Sequence, residues 1–348
     1  MKATIYDIAR KAGVSTATVS KVLNNTGRIG EKTRKRILEI SRELNYQPNV
    51  LASALTGKKT YTIGLLIPDL VNPFFAELAR NVEDRAHERG FSVMICNTDN
   101  DMQKEVKYAQ LLRQKSVDGI IVATGVRNDA LLKELIDQKV PVALAARDMS
   151  VLAASTVLVD DFAGGYSAAS HLLELGHRKI AVIAENLNIP SSKERVRGVR
   201  CSLEEAGVMF DESLVVQSDF SVSAGKEAAM SLLQRNKDGT TGNVNGKGDG
   251  RPTAIFACND VLAIGALQAA RNLGIRVPEE LSVVGFDNTY LARITDPALT
   301  TVAQPIQAMG HQVVDLIAQE IDQANVVKQR VILLPELIVR QSTARVKL

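Results

Sequence analysis

After Thr60 the chain is built from short β-rich runs separated by helical patterns, and that alternation restricts its fold more than any other feature. The runs are "TYTIGLLIP", "FSVMICNTD", "VDGIIVAT", "VPVALAA", "STVLVD", "RKIAVIAE", "TAIFACND" and "LSVVGFD". Helical stretches such as "PFFAELARNVEDRAHERG" and "DVLAIGALQAARNLG" lie between most of them. Strand, helix and strand at this spacing require right-handed crossovers and parallel sheets covered on both faces. So many strands need two sheets, hence two α/β lobes. The spacing places the chain's passages between lobes near Asp160, Asp287 and Gln323. Lobe 1 is then 61–160 with 290–323, and lobe 2 is 161–289 with 324–340.

In open parallel sheets a ligand binds in the crevice at the carboxyl ends of the strands. That rule selects Asp69, Asn72, Phe74 and Phe75 after the first run, Arg147 after "PVALAA", Asn259 and Asp260 after "AIFAC", and Asp287 and Asn288 after "SVVGF". Carboxylates, amides and a guanidinium beside aromatic faces suit a small polyhydroxylated ligand, whose hydroxyls need donors and acceptors while its apolar face stacks. Some of these residues serve equally well as helix caps, Asp260 and Asp287 in particular.

The first 60 residues follow another grammar. They carry twelve Lys and Arg against four Asp and Glu, whereas the remainder carries thirty against thirty-five, so a formal +8 precedes a formal −5. A cationic head on an acidic body points to a polyanionic partner for the head alone. In "TIYDIARKAGVSTATVSKVLNN", Thr4 can cap a helix with Ile5, Ile8, Ala9 and Ala12 at helical spacing, and Gly13 ends it. Val14 plugs the corner and Ser15 caps a second helix whose inner face is Val19, Val22 and Leu23. Its outer face, Thr16, Ala17, Thr18, Ser20 and Lys21, is short, polar and without acid, as close approach to a major groove requires. A third helix over about Glu31 to Leu44 completes a minimal core through Ile37, Ile40 and Leu44. The tight turn, the hydroxyl-rich second helix and the local charge together describe a helix-turn-helix.

These residues, with "TRKRILEISRELNYQPN", resemble the DNA-binding head of the lactose-repressor/galactose-repressor (LacI/GalR) family of bacterial transcription regulators. The resemblance continues through "IPDLVNPFFAELARNVED", "HLLELGHRKIAVI", "TAIFACNDVLAIGAL" and "VVGFDNTYLARITDPALTTVAQP", which are similar to the family's periplasmic-binding-protein-like core. It implies a helix-turn-helix domain over 1–48, a hinge helix and linker over 49–60, and an effector-binding and dimerisation core over 61–340. The implied partners are a palindromic double-stranded DNA operator, a second copy of the chain in a homodimer, and a small effector of sugar type. By resemblance Thr16, Ala17 and Lys21 read bases, while Thr4, Tyr6, Ser15, Ser20, Asn24 and Asn49 contact or orient phosphates. Leu55 would wedge into the minor groove from a short helix, Val50 to Leu55, too brief to persist unaided in water. Ser53 stands where many relatives carry arginine. Effector contacts fall to Asn72, Phe74, Arg147, Asp160, Arg195, Phe220, Asn259, Asp287 and Gln304, with Arg195 and Asp287 as the pair that clamps the ligand. The same core stretches also resemble catabolite-control-like regulators, in which a phosphorylated partner protein is the main signal.

Other classes are less consistent with the sequence. There is no G-x-S-x-G elbow, no GxGxxG after the first strand and no HExxH, and His87, His171, His177 and His311 are scattered, so neither an enzyme nor a cofactor is indicated. A sugar-binding export protein would need a signal peptide and has no use for a basic head. Cys96, Cys201 and Cys258 form no pair and read as small buried residues in a reducing compartment. No apolar run approaches the ~18 residues of a membrane span, so the expected location is the cytoplasm. "NKDGTTGNVNGKGDG", 236–250, reads as a surface loop. The final "LPELIVRQSTARVKL" carries no leucine heptads, which favours a dimer over a tetramer.

Overall fold

The computed structural model describes residues 3–23, 27–46, 59–123, 128–147, 154–234, 250–323 and 326–346. The segment Val50 to Leu55, with Asn24 and Asn49, lies outside them, as does nearly all of the 236–250 stretch. The chain divides into two compact units, Met1–Thr60 and Tyr61–Leu348.

The first unit holds α1 (Ile5–Ala12), α2 (Thr16–Leu23) and α3 (Glu31–Glu43). Thr4 closes a reciprocal capping box with Asp7, and Gly13 takes the left-handed conformation at φ 68° that ends α1. Ser15 Oγ accepts from Thr18 N at 3.2 Å and so starts α2. Ile8, Val19, Val22, Ile37 and Ile40 are buried together, with Val14 and Leu23 packed at the edge.

The second unit begins with β1 (Thr62–Ile67), α4 (Pro73–Glu88), β2 (Ser92–Asn97), α5 (Met102–Gln114), β3 (Gly119–Val122), α6 (Asp129–Asp137), β4 (Val142–Ala145) and β5 (Ser155–Val159). It continues through α7 (Asp161–Glu174), β6 (Ile180–Ala184), α8 (Pro190–Glu205), β7 (Val215–Gln217), α9 (Val222–Leu233), β8 (Ala254–Ala257), α10 (Asp260–Asn272), β9 (Ser282–Asp287), α11 (Tyr290–Ile294) and β10 (Thr300–Ala303). The last elements are α12 (Ile306–Asp322), β11 (Arg330–Leu333) and β12 (Glu336–Ile338).

Among the described residues these strands form two six-stranded sheets, ordered β11-β5-β4-β3-β1-β2 in lobe 1 and β12-β10-β9-β8-β6-β7 in lobe 2. Every pairing is parallel except β10 with β12. The central strands are buried end to end, as strands covered on both faces must be. In lobe 1 α4 and α12 cover one face, and α5 and α6 the other. In lobe 2 α9 and α10 cover one face, and α7 and α8 the other.

The chain passes from lobe 1 to lobe 2 at Asp160, where sequence spacing places it. The other two passages differ from the expected positions near Asp287 and Gln323. After Asp287 the chain stays in lobe 2, because β10 pairs in parallel with β9, Thr300 opposite Val284. It returns to lobe 1 between Ala303 and Ile306, where α12 buries Met309, Val313 and Ile317 against the lobe 1 sheet. β11 then pairs with β5, Val331 opposite Val157, so the last passage falls between Leu333 and Glu336. Residues 290–303 therefore belong with lobe 2 and 330–333 with lobe 1.

Candidate functional site

The three passages bring the carboxyl ends of both sheets to one cleft, which holds two adjoining chambers. The inner chamber, about 90 Å³, is lined from lobe 1 by Phe74, Phe75, Asn100 and Val159, and from lobe 2 by Asp161, Glu185, Arg195, Phe220, Asn259 and Asp287, with Gln304 at the crossing. The outer chamber, about 380 Å³, shares Val159, Asp161, Ile189 and Ser191 with it and adds Arg147, Asp160, Phe162, Glu194, Arg197 and Arg330. A cleft of this size, with convergent polar groups beside aromatic rings, has the room and the chemistry to take a small molecule.

Arg195 is the centre of the inner chamber. It projects from the first turns of α8, and its Nε donates to Asp161 Oδ1 at 2.8 Å. Its Nη1 donates to the Cys258 carbonyl and lies 4.0 Å from Asp287 Oδ1. The guanidinium sits over the Phe286 ring at 3.7 Å from the centroid, a cation–π contact in a desolvated setting. Burial alone would lower its pKa, but Asp161 and Asp287 outweigh that and raise it.

Glu185, at the end of β6, accepts from Asn259 Nδ2 at 2.7 Å and from Ser192 Oγ at 3.4 Å. Asn259 turns its other face to the backbone, Oδ1 accepting from Leu262 N at 2.8 Å, and so caps α10 and orients Glu185 at once. Gln304 Nε2 donates to Asp287 Oδ1 at 2.7 Å. Burial raises the carboxyl pKa of Asp161, of Glu185 and, most of all, of Asp287, against the opposing pull of Arg195. Asp287 stands at φ 114° and Asn288 at φ 59°, conformations that L side chains rarely adopt.

Of the nine effector positions expected from sequence, Phe74, Arg195, Phe220, Asn259, Asp287 and Gln304 line the inner chamber. Arg147 and Asp160 line the outer one. Arg147 is buried and pairs with Glu105 at 3.3 Å, and Asp160 caps α7 through Ala163 N at 2.9 Å. Asn72 lies in neither lining: its Oδ1 caps α4 through Phe74 N at 3.0 Å. Two carboxylates escaped the sequence reading, Asp161 and Glu185. Glu185 ends an apolar strand, and the rule that selected Asn259 and Asp287 applies equally to it.

Asp260, a candidate cap, is instead the first residue of α10 and fully buried. It accepts from Thr289 N and Thr301 Oγ1 at 2.8 and 2.6 Å, and burial pushes its carboxyl up to about 6. Cys96 and Cys258 are buried, whereas Cys201 is half-buried with its thiol 3.3 Å from Glu205. His177 is held between Thr253 Oγ1 and the Ala344 carbonyl, both at 3.0 Å, a fixed structural residue.

In the head, Tyr6, Ser15, Ala17 and Lys21 are exposed, Tyr6 at 72%, and Thr16 and Ser20 are partly so. Thr4 and Ser15 use their hydroxyls in the caps of α1 and α2. The stem of Lys21 lies beside Gly27, which takes φ 76°. Among the described residues no helix is long and apolar enough to cross a membrane.

Comparison with known proteins agrees with both units. Residues 4–49 match the model of bacterial regulatory proteins of the lacI family, and 169–343 match that of a periplasmic binding protein-like domain. The chain is 49% identical to the HTH-type transcriptional regulator DegA of Bacillus subtilis over 99% of each chain. It is 36% identical to catabolite control protein A of Priestia megaterium, over 99% of this chain and 100% of that one. Among solved structures, the lac repressor dimer bound to operator and the anti-inducer ONPF superposes with a TM-score of 0.85 at 28% identity, covering 99% and 100% of the two chains. A complex of the transcriptional regulator CelR with cellobiose matches with a TM-score of 0.73 at 31% identity, covering 98% and 99%. With a basic helix-turn-helix, a bilobed core and relatives of this closeness along its whole length, the chain belongs to the lacI family of bacterial regulatory proteins and is a transcription regulator, not an enzyme.

Proposed function

We propose that the protein is a cytoplasmic regulator that binds a palindromic operator as a homodimer and is controlled by a small, sugar-type effector held in the cleft between its lobes. One observation carries the reading: carboxylate, amide and guanidinium groups from separate strand ends converge with Phe74, Phe75 and Phe220 on a single chamber, in a chain that also carries a cationic helix-turn-helix. The lac repressor and CelR structures, one with operator and one with cellobiose, support the pairing of these two activities. Thr16 and Lys21 would hydrogen-bond to base edges and Ala17 would pack on a thymine methyl, with Thr4, Tyr6, Ser15, Ser20, Asn24 and Asn49 on phosphates.

The effector acts by binding one closure of the lobes better than the other, which changes whether two Val50 to Leu55 segments pair on DNA. A differential affinity of about 1–3 kcal/mol is enough to switch occupancy. Lys21→Ala and Leu55→Ala should each weaken binding to a selected inverted repeat sharply, read by fluorescence anisotropy, while ligand binding survives. A thermal-shift screen of sugars and sugar phosphates, repeated on Arg195→Lys, tests the cleft. Unaltered operator affinity in both head variants defeats the reading. Capture of a phosphorylated protein in place of any sugar response replaces the effector with a protein partner, as the catabolite-control resemblance would have it.

A further inference from the structure

We propose that Glu185 makes the inner chamber selective for a polyhydroxylated ligand that carries a protonated amine, an amino sugar in chemical class. The inference rests on the reading of the cleft as the effector site and adds the charge of the ligand.

The inner chamber holds three carboxylates, Asp161, Glu185 and Asp287, and one guanidinium, Arg195. That guanidinium is already committed. It bonds Asp161 at 2.8 Å and the Cys258 carbonyl, and Phe286 covers one of its faces. Asp161 is therefore charge-compensated, whereas Asp287 is only 4.0 Å from Nη1 and otherwise bonded to the neutral Gln304. Glu185 is 8% exposed, and both bonds found for it come from neutral donors, Asn259 and Ser192. Glu185 feels Arg195 only through space, and shares that one charge with Asp161 and Asp287, so the chamber sets three acids against one cation. Buried carboxylates in excess of cations are costly and call for a proton or a positive partner. The outer chamber's arginines, Arg147, Arg197 and Arg330, do not line the inner one, and Arg147 pairs with Glu105 at 3.3 Å and Arg197 with Glu194 at 2.6 Å.

An ammonium has the chemistry the chamber lacks: a positive charge and three donors for carboxylate oxygens. Its carbon skeleton would rest against Phe74 and Phe220, whose rings also attract a cation. Asn259 and Gln304 are already fixed as donors to Glu185 and Asp287, so they hold the two acids in place to receive it. A phosphate or carboxylate on the ligand would instead meet three acids and one committed arginine.

The experiment uses the full-length protein and three matched pairs: glucosamine, galactosamine and mannosamine against glucose, galactose and mannose, with glucose 6-phosphate as the anionic probe. Titration calorimetry and thermal shift are run on the wild type and on Glu185→Gln, which keeps an oxygen for Asn259 and removes only the charge. At least one amine should bind about tenfold or more tighter than its parent sugar, the value of one charge-assisted hydrogen bond. In Glu185→Gln that preference should fall to about twofold or less while cooperative melting is kept. The proposal is overturned if no amine outbinds its parent, or if the preference persists in Glu185→Gln. Should glucose or its phosphate bind at least as tightly as every amine and lose affinity in Arg195→Lys, the effector site stands and the amine does not. If no probe of any charge binds, the amine proposal falls and the sugar screen decides the site by itself.

Discussion

Asp160 and Asp161 are adjacent acids at the end of one strand, yet they have different duties. Asp160 caps α7, and Asp161 takes the ion pair with Arg195. Sequence cannot separate them, because the backbone turns there from strand to helix and one residue of phase decides which carboxylate reaches Arg195. Arg195, Asn259 and Asp287 were legible, since the topology puts polar residues at strand ends and resemblance supplies the rest. The pH behaviour of Glu185 follows from its burial. Its native pKa lies above the ordinary glutamate value of 4.5, so above that pH the native state holds more protons than the unfolded chain. Stability then declines as pH rises through the native pKa. The melting temperature of Glu185→Gln relative to the wild type should accordingly rise between pH 4.5 and pH 8. A difference that is flat or falls with pH contradicts the assignment. Replacing Arg195 with alanine strips Asp161 of its counter-charge and should cost about 3–5 kcal/mol in urea unfolding, the usual penalty for breaking a buried pair.

At the level of elements, α7 and α8 meet through glycines. A Cβ on Gly165 would stand 2.0 Å from the Arg195 carbonyl oxygen, and one on Gly198 would stand 2.1 Å from that of Phe162. The helices thus touch backbone to backbone, and this close approach is what holds Arg195 beside Asp161. Gly198→Ala should destabilise the protein by about 1–3 kcal/mol or more through overpacking, measured by urea unfolding. It should also weaken effector binding while leaving the isolated helix-turn-helix intact. The eight β-rich runs after Thr60 all became strands, because apolar β-branched runs bounded by turns carry a local signal. β10, β11 and β12 are short and partly polar, and their identity depends on partners far away in sequence. The amphipathic pattern of α12 shows which face is buried but not against which sheet. That is why two of the three lobe passages were misplaced.

For the whole molecule, the charge division has a measurable consequence. With +8 on the first 60 residues and −5 on the rest, DNA affinity should fall steeply with salt, log affinity declining about 0.9 per phosphate neutralised. Lys21→Ala, on a base edge, should cost about 1–3 kcal/mol and relax specificity at its base pair while leaving most of that slope in place. Effector affinity, housed in the acidic body, should vary far less with salt when measured in the same buffers.

The three lobe passages also govern the order in which a nascent chain can mature. The first five strands of lobe 1 leave the ribosome early, but α12, which covers their face with Met309, Val313 and Ile317, is synthesised more than a hundred residues after β5, and β11 later still. Lobe 2 can assemble most of its sheet, β6 to β10, before that helix exists. Lobe 1 must therefore wait during translation with one oily surface covered by α4 alone, and any pause before residue 306 leaves the rest of it open to holdase chaperones.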